Sequence, residues 1–102
     1  MMHAITLTYL SSEEEISAHL EAHKQWLMRG IKEGKILLAG PVDNHAGGFI
    51  LMRGNDKHAI HAFLQEDPFI EHNIADAVLL SFEPLLCAQG VPVAWADKAK
   101  FI

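Results

Sequence analysis

Apolar residues change period along this chain in a fixed order: every second residue, then every third or fourth, then every second twice over, then helical, then alternating again. His3 to Leu10 alternates, with Ile5, Leu7 and Tyr9 on one face and Ala4, Thr6, Thr8 and Leu10 on the other. Ser11 and Ser12 before Glu13, Glu14 and Glu15 offer two overlapping capping boxes, which predict a helix from there to about Glu33. Gly34 supplies the left-handed stop, and Gly30 is an internal weak point kept small for close packing. Lys35 to Gly40 reads as a short strand broken by Gly40-Pro41, and Val42 to Gly47 as a loop. Gly48 to Arg53 is a further strand with Phe49 and Leu51 opposing Ile50 and Met52. Gly54-Asn55-Asp56 turns and caps a second helix over about Lys57 to Gln65, which buries Ile60, Phe63 and Leu64 and ends at Asp67-Pro68-Phe69. After a loop through His72 and Asn73, Asp76 to Glu83 alternates once more.

Strand, helix, strand, strand, helix, strand is the split βαβ arrangement, a ferredoxin-like α+β fold with a four-stranded antiparallel sheet. Residues 1–84 form this domain, and residues 85–102 a C-terminal extension packing on it or on a dimer partner. The extension carries Pro92, Trp95 and Phe101 and is too apolar for a solvated end, with Val91 to Trp95 a candidate extra strand. Two helices cover one face of such a sheet, yet three strands are apolar on both faces, as in sheets buried on both sides. A homodimer packed sheet to sheet is therefore expected. The competing reading has the extension cover that face alone.

At 102 residues, half of them hydrophobic, the chain has room for one modest core. Thirteen acidic against eight basic residues argue against a nucleic-acid partner, whose phosphates call for a basic stripe. No basic start with an apolar signal core and no bilayer-length span is present, which points to a cytoplasmic protein without membrane contact. The single cysteine, Cys87, has no internal partner and reads as an ordinary buried thiol.

Three polar features bear on chemistry. On a helix advancing about 100° per residue, His23 lies in the middle of the stripe made by Ile16, Leu20, Leu27 and Ile31. A titratable ring there either bonds quietly inside the core or moves protons. Asp67 has the simple reading of a turn starter before proline. In this topology, however, both helices pack on one sheet face, so Asp67 can reach the first helix. A carboxylate on one nitrogen of His23 orients the ring and leaves the other free for proton transfer, a general acid/base dyad. Third, His19 and His23 are four apart and His58 and His61 three apart, spacings that let a pair share a metal, with His72 as the extra ligand. The Glu of a His-Glu-x-x-His motif is missing, and His58 and His61 lie off the buried stripe, so no metal is assigned. Ala46-Gly47-Gly48 opens no helix and is not a phosphate loop, and no serine nucleophile motif is present.

Ala22-His23-Lys24-Gln25-Trp26-Leu27, Gly34-Lys35-Ile36-Leu37-Leu38-Ala39-Gly40-Pro41, Gly47-Gly48-Phe49-Ile50-Leu51 and Asp67-Pro68-Phe69, in that order, resemble the YCII-related (YciI-like) proteins of the dimeric α+β barrel superfamily. The resemblance covers roughly residues 1–84. It implies a ferredoxin-like fold, dimerisation through the sheets, and an active site centred on one histidine and one aspartate, which by position are His23 and Asp67. This chain departs from the pattern at Glu71-His72-Asn73, where the family usually has small residues, and beyond Pro84. One branch of the family resembles enzymes that remove chloride from hydroxylated aromatic rings, and related barrels include lactone isomerases and small monooxygenases. The expectation is a small cofactor-independent lyase or isomerase acting on a cyclic or aromatic metabolite. His23 and Asp67 are its dyad, Gly40 and Pro41 shape a pocket wall, and His19, Trp26 and His72 are candidate substrate contacts. The alternative is a non-catalytic small-ligand-binding or interaction module of the same fold.

Overall fold

The computed structural model describes residues 1–102. The first strand, β1 (Met2–Tyr9), is followed by helix α1 (Glu13–Lys32), then β2 (Ile36–Pro41), β3 (Gly47–Arg53), α2 (Lys57–Gln65), a single helical turn α3 (Pro68–Glu71) and β4 (Ala75–Phe82). The four strands pair antiparallel in the order β2-β3-β1-β4, with β1 in the middle facing both β3 and β4.

α1 begins where the capping serines stand: the Ser12 hydroxyl accepts the Glu15 backbone N–H at 3.3 Å, with Glu13, Glu14 and Glu15 in the first turn. It ends in a Schellman motif. The Lys35 N–H bonds the Gly30 carbonyl and the Gly34 N–H the Ile31 carbonyl, with Gly34 at φ +77°. The buried stripe is rotated slightly from the expected one. His23, Trp26 and Gly30 are its buried residues, whereas Ile31 is 48% exposed. Trp26 sets this rotation: its indole N–H donates to the Phe63 carbonyl at 3.1 Å and its ring stacks on Phe63. Gly30 lets α1 close on the same residues, since a Cβ there would stand 2.6 Å from Ile36 Cδ1 and 2.8 Å from Phe63 Cζ.

Gly40 and Pro41 do not break β2. Both pair with β3, Gly40 opposite Phe49 and Pro41 opposite Gly48. β2 is an edge strand, and an edge tolerates a residue without a backbone donor. The segment after Asp67 also differs from the expected loop, because Pro68 opens the α3 turn at a position where proline is well suited to begin a helix. In the extension, Val91 to Trp95 is not a strand. Val93–Trp95 forms a 3-10 turn behind Pro92, and two-residue strands β5 (Leu86–Cys87) and β6 (Lys100–Phe101) pair in parallel instead. Pro92 supplies no ladder donor and starts the turn. Ala96 is buried, and Arg53 donates to the Ala94 carbonyl at 2.8 Å, tying the extension to the end of β3. Cys87 is half-buried rather than buried.

The core lies between the helices and one sheet face, around Ile5, Leu7, Ile50 and Met52 from the strands and Trp26, Ile60, Phe63 and Phe69 from the helical side. The opposite face is left apolar and open: Leu38, Phe49, Val78, Leu80 and Phe82 are all exposed. No helix is long and apolar enough to cross a membrane.

Candidate active site

The α1 stripe carries the His23 ring beneath the start of α3, where Asp67 is the N-cap. Asp67 is completely buried and His23 nearly so. The His23 Nδ1–H donates to Asp67 Oδ1 at 2.7 Å. The same oxygen accepts the Phe69 backbone N–H at 3.1 Å, so the turn chemistry and the carboxylate-imidazole contact are both realised by one atom. Asp67 Oδ2 is buried without a hydrogen-bond partner, an unmet polar atom of the kind that folds retain at functional positions.

The imidazole packs against two aromatic rings. Phe69 stacks on it at 4.1 Å between centroids and 7° between planes, and Trp26 lies at 5.9 Å. Because an ionised carboxylate is an acceptor only, its bond to Nδ1 places the proton there and leaves Nε2 of the neutral ring with its lone pair. His23 reaches the lining of an open cavity of about 230 Å³, more than the 150 Å³ or so that takes up benzene. Leu20, Lys24 and Leu27 of α1 and Leu7 and Tyr9 of β1 also line it. Gly40 and Pro41 form its wall at the β2 edge.

Of the residues singled out from sequence, His23, Gly40 and Pro41 thus share the cavity, with Asp67 directly behind His23. Trp26 is held in the core and is not on the lining. His19 and His72 meet each other outside it, rings 4.6 Å apart, with His19 Nδ1–H bonded to the Glu15 carbonyl at 3.0 Å. His58 and His61 are exposed on α2, and no three His, Cys, Asp or Glu side chains cluster as a metal site. Tyr9 and Lys24 also line the cavity, and no motif singles them out in the sequence. Tyr9 read as one more apolar strand residue, whereas the spacing of Lys24, four after Leu20 and three before Leu27, was available as a signal. Beside the pair, Arg29 of α1 bonds Glu66 at 2.8 Å, which raises the guanidinium above its ordinary pKa. That bridge is solvent-exposed, and it counts for little in stability.

A four-stranded antiparallel sheet with its helices on one face and a cavity between α1 and the sheet defines a ferredoxin-like α+β protein. The chain belongs to the YCII-related family: the model of the YCII-related domain matches residues 1–83. No curated protein matches it. Among solved structures it is similar to 5-chloro-2-hydroxyhydroquinone dehydrochlorinase from Burkholderia phenoliruptrix AC1100, solved with 2,5-dihydroxybenzoquinone. The TM-score is 0.69 at 20% identity, over 82% of this chain and 95% of that one. It is similar to muconolactone isomerase with a TM-score of 0.69 and 14% identity, over 91% of this chain and 95% of that one. An antibiotic biosynthesis monooxygenase gives 0.56 at 14% identity, over 82% of this chain and all of the other.

Proposed function

We propose that this protein is a small lyase or isomerase that moves a proton on a cyclic or aromatic metabolite without a cofactor, with His23 as the acid/base and Asp67 as its orienting carboxylate. The observation that carries the reading is the 2.7 Å bond from His23 Nδ1 to a fully buried carboxylate, behind a ring whose other side meets a mostly apolar cavity. The dehydrochlorinase and the isomerase among the structural neighbours point to the same two reaction classes.

In an elimination, Nε2 takes a proton from the substrate. The electron pair left behind moves into the ring as the leaving group departs with its own bonding pair. In an isomerisation, the proton taken from one carbon is returned at another, and nothing leaves. In both, the charge gained by the imidazole is met by Asp67, and Phe69 and Trp26 keep the ring from turning away. Such assistance is typically worth about 10²- to 10⁴-fold, enough for an already acidic C–H or O–H. The reading includes a second copy of the chain on the open sheet face, where Val78, Leu80 and Phe82 lie exposed.

The test is turnover by purified protein of 5-chloro-2-hydroxyhydroquinone, followed as chloride release, and of muconolactone, followed by NMR. Wild-type turnover of either, lost in His23→Gln, is expected. A wild-type protein inert towards both and towards related enols, yet binding them, would favour the non-catalytic module.

A further inference from the structure

The cavity has one basic side chain of the lysine or arginine kind on its lining, Lys24, and no acidic one. The rest is largely hydrocarbon from Leu7, Leu20 and Leu27 together with the Tyr9 ring. Lys24 is exposed and has no carboxylate in ion-pair range, unlike Arg29, Lys35 and Lys98. Long basic side chains at such a position can lay their methylene stem on apolar surface while the ammonium stays in water. Lys24 lines the same cavity as His23, so a ring that fills the cavity can meet the imidazole with one edge and the ammonium with another.

In a chain of net charge -5, the general field repels anions, and a local unpaired cation at this mostly apolar cavity reverses that preference there. We propose that Lys24 is the specificity-determining residue of the cavity, selecting a single ring that carries an anionic oxygen, carboxylate or enolate, and turning that oxygen to the mouth. The inference rests on the functional reading above for the site but not for the reaction: it concerns which ligands enter. Lys24 is a positioning residue. It holds one edge of the ring, so that the opposite edge faces Nε2 of His23.

The test is equilibrium binding, by calorimetry at low and high salt, of two probes on the same six-carbon skeleton: 2,5-dihydroxybenzoquinone, anionic at neutral pH, and hydroquinone, neutral. Wild type is expected to prefer the anionic probe by about tenfold or more, with the preference shrinking as salt screens the ammonium. Lys24→Met should abolish the preference, Lys24→Arg should keep it, and neither should alter hydroquinone binding. On any substrate found, Lys24→Met should raise KM and also lower kcat, because the ring loses its orientation towards Nε2 as well as its anchor, and Lys24→Arg should restore both. Equal binding of the two probes by wild type, or a preference that survives Lys24→Met, overturns the proposal. Its failure is separable from that of the dyad: His23→Gln reports on turnover with the probe preference intact, and Lys24→Met reports on preference with the dyad intact.

Discussion

His23 and Asp67 stand 44 positions apart in sequence, yet their side chains meet at 2.7 Å inside the protein. Removing one partner of a buried pair leaves the other uncompensated, at a typical cost of about 3 to 5 kcal/mol. His23→Leu is therefore expected to destabilise the chain by about 3 kcal/mol, although leucine suits the surrounding stripe. Adding Asp67→Asn, which keeps a capping side chain without the charge, should restore most of it. Urea unfolding of both variants decides the point. A leucine variant as stable as wild type would mean that the imidazole is ordinary packing.

Gly30→Ala sets two effects against each other. Alanine gains about 1 kcal/mol of helix propensity over glycine, but its Cβ would stand within 3 Å of both Ile36 and Phe63. Overpacking of this kind costs roughly 1 to 3 kcal/mol, so a net loss of stability is expected in denaturant titration, together with a shift of the α1 resonances around Trp26. A stabilised variant would show that α1 backs away freely.

Ser12→Ala removes one bond from the Glu15 N–H. A loss of about 1 kcal/mol is expected, as for other serine caps, and Ser12→Asp should recover it. Ser11, whose side chain takes no part in the cap, should tolerate alanine without a measurable change in the same unfolding experiment.

The open sheet face makes a prediction about assembly. Leu80 is 66% exposed between Val78 and Phe82 on β4, on the same sheet face as Leu38 of the far edge strand, and a standard dimer buries about 800 Å² per partner. Leu80→Lys should leave the fold intact by circular dichroism and convert the proposed dimer to monomer in analytical ultracentrifugation. Wild type sedimenting as a monomer at all concentrations would remove the second copy from the account.

Much of this architecture was legible because local chemistry and global fold agree. Ser12 with Glu15, Gly34 after the last helical residue, and the alternation of Ile5 and Leu7 against Thr6 and Thr8 each specify one outcome, and the structure has each of them. The misreadings fall where tertiary context decides. Gly40-Pro41 reads as a break until β2 is known to lie at an edge. Pro68 reads as a stop until it is seen to start the next turn. Periodicity put Ile31 on the buried stripe, but the bond and stacking of Trp26 on Phe63 rotate α1 away from it. The contact between His23 and Asp67 was legible as topology, since both helical segments share a face. The cavity was not, because its wall combines residues from α1, β1, β2 and β3 that no local pattern relates.

The most direct measurement of the central claim is the turnover rate of Asp67→Asn beside wild type, on whichever of the chlorinated hydroxyhydroquinone or muconolactone the wild type converts. Asparagine keeps the size and the cap but presents no charge to the imidazole. A fall in kcat of about 10²-fold or more is expected, with the fold retained. A folded Asp67→Asn protein working at the wild-type rate would contradict it.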